Sequence, residues 1–291
     1  MHFFVIGDVM LDIDYQGKHR GNEDGAELCL TSDRRKIYPG GAAWVAWLLA
    51  GAGHEVDLFG VVGADTEAED LAFSLPSVNR HFKPLLVSTT VKRRVHTERG
   101  VYRFDTENPK AISWPVLEAT RLLEHTHLPD CVLFVDYNKG VFWETEDSAE
   151  IWFAIAGIPE RSETVAAIKP TEYLNLWNDM DLVVCNRGEA NNAELTYEWT
   201  PQCPIVVTDG SMGAQLYERD GSLGAIVECP EQVASPQVIG AGDAFLAALV
   251  SHWFLLGVHR CPPEEAVEYA ILRATKYVSI PREELCSRYF V

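Results

Sequence analysis

Cys131-Val132-Leu133-Phe134-Val135 is a run of five apolar residues with no polar residue between them. A strand with one face in water alternates apolar and polar side chains, whereas a run apolar throughout suits a strand buried on both faces. Runs of similar β-rich character recur at Phe3–Gly7, Val56–Val62, Val165–Lys169, Leu182–Asn186 and Ile205–Thr208. Between them, stretches such as Ala42–Leu49 and Glu118–Glu124 carry helical patterning, so the order is strand, helix, strand. Buried strands alternating with helices predict an α/β fold with a mainly parallel central sheet covered on both faces. In such sheets ligands bind beyond the carboxyl ends of the strands, and that is where chemistry is sought.

Two segments break the alternation. Ile13–Tyr38 is charged and Gly-rich with short alternating pieces, and Thr89–Asp105 (TTVKRRVHTERGVYRFD) reads as a hairpin turning near Glu98-Arg99-Gly100. Period-two strands without an intervening helix predict a small antiparallel β lid, over about residues 13–38 and 89–105. Further on, Ala214–Glu218 and Ala225–Glu228 flank a turn at Asp220-Gly221 as a second hairpin. A long apolar helix is expected over Asp243–Leu256 and an amphipathic one from about Pro263 to Val278. No internal repeat or linker divides the chain, so residues 1–291 are expected to form one domain.

A hydrophobic content of 47% with 23% charged residues excludes disorder, collagen and coiled coil. The 24 Lys+Arg against 43 Asp+Glu leave a formal charge of −19, a field that repels polyanions, so neither nucleic acid nor an anionic membrane is an expected partner. The seven cysteines are odd in number, scattered and without a C-x-x-C pair. That pattern predicts reduced, mostly buried thiols. The start, MHFFVIGDVMLD, has no basic segment followed by a long apolar one, and no stretch reaches the length of a membrane span, so a cytoplasmic protein is expected. The eight tryptophans are expected in packing, and His125-x-His127, which runs into Leu128-Pro129, predicts no metal site.

The sharpest local signal is Gly240-Ala241-Gly242-Asp243, a small-residue turn running into an apolar helix. Residues without bulk let a ligand approach the backbone, and the N–H groups at a helix start attract anions. Asp243 by itself is also an ordinary favourable residue for a first helical turn.

Together with other motifs, this turn resembles the PfkB, or ribokinase-like, family of carbohydrate kinases, whose signature ends in Gly-Ala-Gly-Asp. The similarity is greatest to the heptose-phosphate kinase half of ADP-heptose synthase. It is carried by GDVMLD (Gly7–Asp12), PGGAA-x-VA (Pro39–Ala46), TTVKRRV (Thr89–Val95), YRFD (Tyr102–Asp105), DYNKG (Asp136–Gly140) and Asn186-Arg187-Gly188-Glu189. The resemblance implies a three-layer α/β/α sandwich and an ATP- and Mg²⁺-dependent kinase acting on a hydroxyl of a sugar or sugar phosphate. Asp243 would be the general base, with the amides of Gly240, Ala241 and Gly242 around the transferred group. Asn186 and Glu189 would hold Mg²⁺, and Lys169, Thr208, Gly210 and Gly213 would lie along the nucleotide. Asp8, Asp12, Gly40, Gly41 and Asp136 would line the acceptor site, where Arg93, Arg103 and Lys139 would meet an anionic group. A homodimer formed through the lid is also implied.

Three departures from the family pattern stand out. Gln237-Val238-Ile239 replaces Asp-Thr-x before the turn, where relatives build a monovalent-cation loop. Trp44 replaces a sugar-contacting Asn, which predicts a changed acceptor and leaves open a kinase of nucleosides or other ring alcohols stacked on the indole. No nucleotidyltransferase domain is expected after residue 291. The first departure, with the altered surroundings of Lys169, also leaves open a binding or scaffold protein that keeps the fold without turnover.

Overall fold

In the computed structural model the apolar runs become the spine of a nine-stranded sheet. All residues are described except 23–24, 32–34, 108–109, 124–127, 144–157, 159–161, 168–176, 179, 198–201, 235–236, 256–263 and 291. The sheet contains β1 (His2–Gly7), β5 (Glu55–Gly63), β6 (Asn79–Leu86), β9 (Cys131–Val135), β10 (Glu163–Ala167), β11 (Leu182–Asn186), β12 (Ile205–Thr208), β13 (Ala214–Tyr217) and β14 (Leu223–Val227). Across it the order is β14-β13-β12-β11-β10-β9-β1-β5-β6. Every pairing is parallel except the two made by β13.

The period of two sorts side chains onto the two faces. Along β9, Cys131, Leu133 and Val135 join one core while Val132 and Phe134 join the other. The first core is closed by α1 (Ala42–Gly51), α5 (Ala241–Leu255) and α6 (Glu264–Val278). The second is closed by α3 (Trp114–Leu123), with Ala190 of α4 (Arg187–Tyr197) packed against it. Three layers, α/β/α, result. Helix α1 has no charged residue and almost no exposed face, because it lies between the sheet and α5.

The lid is a five-stranded sheet of β2 (Val9–Asn22), β3 (Gly25–Leu30), β4 (Lys36–Gly41), β7 (Val91–Thr97) and β8 (Gly100–Thr106). The turn between β7 and β8 falls at Glu98-Arg99, as the sequence predicts. Two features differ from expectation. The excursion starts at Val9 and ends at Gly41, wider than 13–38, and β2 pairs with β7 in parallel, so the lid is antiparallel in only three of its four pairings. Strand β10 also begins two residues before Val165, with Glu163 in register with Cys131, and residues 168–169 of the expected strand lie outside the described residues. Among the elements that escape the sequence reading are the edge strand β6, half polar and carrying Pro84, and α2 (Thr66–Phe73).

Where the lid meets the body, Asp12 and Asp14 of β2 face Arg94 of β7 and Arg282, which follows α6. Arg282 reaches Asp12 at 2.6 Å and Asp14 at 3.3 Å, while Arg94 lies 3.1 Å from Asp12 and 3.7 Å from Asp14. All four are buried, and the Arg282 guanidinium stacks 4.1 Å from the Tyr38 ring centre. Two carboxylates and two guanidiniums balance, but removal of one partner leaves a buried charge uncompensated. Arg282→Met is therefore expected to cost about 3–5 kcal/mol. Urea unfolding at unchanged slope checks this, and an unchanged midpoint would deny the cluster its part in joining lid and body.

Candidate active site

The carboxyl ends of β9, β11 and β12 and the start of α5 surround one cavity of about 210 Å³, lined by Asp136, Tyr137, Asn186, Glu189, Thr208 and Gly240–Asp243 among others. Thr208, Val238, Ala241 and Gly242 also line a neighbouring cavity of about 370 Å³. That second space is mainly apolar, walled by Val233, Phe245, Ile271, Ala274 and Val278. The expected catalytic turn and the expected metal pair are thus brought to one polar space, with an apolar space beside it.

The turn is held from below. Gly240 has φ +79°, and a Cβ there would lie 2.5 Å from Trp44 Nε1 and 2.7 Å from the Tyr277 hydroxyl. Trp44 donates to the Tyr277 hydroxyl at 3.2 Å, and that hydroxyl donates to the Ile239 carbonyl at 2.7 Å. Gln237 brackets the same residue, accepting from the Ile239 N–H at 2.6 Å and donating to its carbonyl at 3.1 Å. Gln237-Val238-Ile239 is therefore organised by protein donors. Trp44, only 3% exposed and stacked on Trp47, is a support for the turn and offers no face to an acceptor. The stacking argument for a nucleoside substrate falls with it. The Ala241 N–H donates to the Val238 carbonyl at 3.2 Å, which removes it from the three amides expected around an anion. The Gly242 N–H, in the first turn, has no intrahelical acceptor by the geometry of a helix start.

Asn186 and Glu189 form a reciprocal cap on α4. The Asn186 N–H donates to Glu189 Oε2 at 2.8 Å, and the Glu189 N–H donates to Asn186 Oδ1 at 2.9 Å. This fixes both side chains on the cavity wall. Their oxygens are hard donors with lone pairs beyond those used in the cap, and the cavity has room for water. Such a donor set fits Mg²⁺, which prefers oxygen and keeps several waters. Thr208 sits at the boundary of the two cavities, while Gly210 and Gly213 flank a 3₁₀ turn along the apolar one. Lys169, expected beside the phosphates, and His125-x-His127 lie outside the described residues.

On the acceptor side the expected residues divide. Asp8 is buried and accepts three backbone N–H groups, from Tyr137 (2.8 Å), Lys139 (3.0 Å) and Val141 (3.4 Å). Burial pushes its carboxyl upward against the pull of those bonds. Its role in the structure is to shape the loop after β9. Asp136 is buried in that loop and accepts the Asn138 N–H at 2.7 Å. Asp12 belongs to the ion cluster beneath the lid. Gly40 and Gly41 are buried; a Cβ on Gly41 would lie 2.3 Å from the Asp8 carbonyl oxygen and one on Gly40 would press on the Met10 and Asp12 side chains, so their smallness serves close packing.

Among the cations, Arg93 points away, bonded to Glu67 (3.0 Å) and Thr106 (2.8 Å). Strand alternation puts Lys92 on the opposite face, and its Nζ lies 4.8 Å from the centre of the Tyr137 ring. Burial lowers the Lys92 pKa; Asp12 and Asp243 oppose the shift, and Arg103 and Lys139 add to it. Lys92 therefore shares a neighbourhood with both expected cations, which are paired with Asp105 and Glu107. Lys92 and Tyr137 are the site residues that motif reading passed over. Both stood inside quoted motifs, and the alternation of β7 is the signal that separates Lys92 from Arg93.

Comparison with known proteins bears on the family and the fold. Residues 2–279 match a family model described as pfkB family carbohydrate kinase. The bifunctional protein HldE of Methylobacillus flagellatus is 26% identical over 304 residues, covering 93% of this chain and 58% of the relative. That of Azotobacter vinelandii is 32% identical over 195 residues, covering 65% of this chain and 39% of the relative. The chain spans about half the length, or less, of the curated relatives it matches. Among solved structures, the tetrameric inhibited form of phosphofructokinase-2 from Escherichia coli has a TM-score of 0.70 at 16% identity, covering 99% of this chain and 97% of that one. Arabidopsis thaliana ribokinase complexed with ribose and ATP has a TM-score of 0.66 at 16% identity, covering 99% and 98%. These two likenesses show a shared fold.

The supported turn makes a direct prediction. In Gly240→Ala the added methyl meets the Trp44 indole nitrogen and the Tyr277 hydroxyl, which are hydrogen-bonded to each other, in a backbone conformation that L-residues resist. Displacement of the following amides is expected to lower kcat by about 100-fold, the scale of losing one oxyanion donor, while the far-ultraviolet spectrum stays native. Wild-type kcat in this variant would show that the turn does not set the rate.

Proposed function

The chain belongs to the pfkB family of carbohydrate kinases, and from that premise we propose that it transfers the γ-phosphoryl group of ATP to a hydroxyl of a phosphorylated sugar. The observation that carries this reading is the position of Asp243. It stands in the first turn of α5, in the cavity that also holds Asn186 and Glu189, beside an apolar space of a size to take a purine.

The steps follow from these residues. The acceptor hydroxyl gives its proton to the Asp243 carboxylate as its oxygen bonds to the γ-phosphorus. The bond to the leaving ADP oxygen breaks in line, and the Gly242 N–H at the head of α5 faces the charge on the transferred group. The base of the nucleotide lies in the apolar cavity, with Thr208, Gly210 and Gly213 along its phosphates. Asn186 and Glu189 would hold Mg²⁺, which supplies charge neutralisation at the phosphates. On a chain of formal charge −19, with Asp136, Glu189 and Asp243 around one cavity, that neutralisation has to be local.

Lys92 supports a phosphorylated acceptor. A half-buried ammonium is costly unless an anion approaches it, and Lys92 lies near Arg103 and Lys139, on the lid and the loop that would close over an acceptor. A phosphate or other dianionic group there would draw on all three. The same motifs give the similarity to heptose-phosphate kinases, so a seven-carbon sugar phosphate heads the panel of acceptors to try. A homodimer is part of the reading too: the lid leaves Leu30, Val101 and Phe104 more than half exposed, an apolar surface that a second copy would cover. A cytoplasmic setting, with ATP at hand, completes it.

Two variants test the assignment once ATP consumption has been screened against sugars, sugar phosphates and nucleosides. Asp243→Asn is expected to lower transfer by about 100-fold or more with nucleotide affinity almost unchanged. Lys92→Met is expected to raise KM for a phosphorylated acceptor by roughly tenfold and to leave KM for ATP as it was. Highest turnover on an uncharged sugar or a nucleoside would refute the acceptor class.

A further inference from the structure

Tyr137 touches Asp243: its hydroxyl donates to Asp243 Oδ1 at 2.7 Å. Nothing in the chemistry described above requires a phenol, yet this one is built in from both ends. Its own N–H is bonded to the buried Asp8 carboxylate at 2.8 Å, and Asp8 also fixes Lys139 and Val141, so the loop after β9 is tied to the end of β1. On the other side, the Lys92 ammonium lies 4.8 Å from the ring centre, in reach of a cation–π attraction. Burial and the Asp243 charge hold the phenol protonated, so it acts as a donor.

A general base needs its carboxylate aimed as well as ionised. An Asp side chain has two torsions, and one hydrogen bond from a fixed donor to one oxygen removes most of the freedom of the second. Loss of that bond removes a constraint on where the carboxylate points, and a displacement of about 1 Å can cost 100-fold in rate. The cation over the ring strengthens the phenol as a donor, and that cation stands on β7, a strand of the lid. Lid, ring and base therefore lie in one row: Lys92, Tyr137, Asp243.

We infer that Tyr137 is a positioning residue, which aims the Asp243 carboxylate at the acceptor hydroxyl and couples that aim to the lid through Lys92. The inference rests on the reading of Asp243 as the base, and the experiment separates the two. Tyr137→Phe keeps the ring, the packing and the site for Lys92, and removes only the hydroxyl. Steady-state rates are measured with Mg·ATP and the acceptor of highest turnover in the panel, for Tyr137→Phe, Asp243→Asn and the double variant, with urea midpoints as a control on folding.

The expected result is a kcat about 10- to 100-fold lower in Tyr137→Phe, with KM for ATP and for the acceptor within about twofold of wild type. The double variant should be no slower than Asp243→Asn alone, because two groups acting as one unit are not additive. Wild-type kcat in Tyr137→Phe beside an inert Asp243→Asn would overturn the positioning role alone. A raised acceptor KM with unchanged kcat would also overturn it, since Tyr137 would then be holding substrate. Wild-type transfer by Asp243→Asn would remove the base, and this inference with it.

Discussion

The close approach of Gly240 to Trp44 and Tyr277 is the contact on which the site depends. It fixes where α5 begins, and the start of α5 fixes Asp243, the Gly242 amide and the wall shared by the two cavities. The contact is possible because α1, which carries Trp44, is buried against α5, and because Tyr277 at the end of α6 turns its hydroxyl onto the Ile239 carbonyl. Core packing and site geometry are here the same set of atoms. A change of one methyl at the contact is felt at the reacting centre because close-packed interiors yield little.

Charge is the second constraint. Acidic residues gather where phosphates are proposed to bind, and the body repels anions at long range. The structure answers with local pairings. Arg94 and Arg282 are consumed by Asp12 and Asp14 at the base of the lid, and Arg93 by Glu67. Lys92 is left over the Tyr137 ring, with Arg103 and Lys139 in the same neighbourhood. In the proposed reaction a divalent cation and a few aimed groups would supply the attraction to the nucleotide.

The layers of the fold were legible because β9 is apolar throughout and β1, β11 and β12 are apolar except at one terminal residue each, a pattern that burial on both faces explains. Strand β6 was not, since this edge strand carries Pro84, is half polar and buries none of its residues. The site was legible where backbone chemistry dictates sequence, as at Gly240–Asp243 and in the Asn186–Glu189 cap. It was obscure where a side chain's direction decides. Lys92 and Arg93 differ by one residue and so by a strand face, and Asp12 reads as a sugar ligand until Arg282, 270 residues away, is found upon it. Trp44 was noticed for what it replaces, and its place beneath the turn follows only from three-dimensional packing.

The central claim, that this chain moves a phosphoryl group from ATP to a sugar hydroxyl, is tested most directly by phosphorus nuclear magnetic resonance of the complete reaction. Wild-type protein, Mg·ATP and each sugar phosphate of the panel are followed until ATP is spent. The account predicts that one acceptor gives a new phosphomonoester signal growing in step with ADP, one for one, with no matching rise in inorganic phosphate. ADP that appears only with inorganic phosphate, or ATP that is bound and never consumed with any sugar or sugar phosphate, would contradict it.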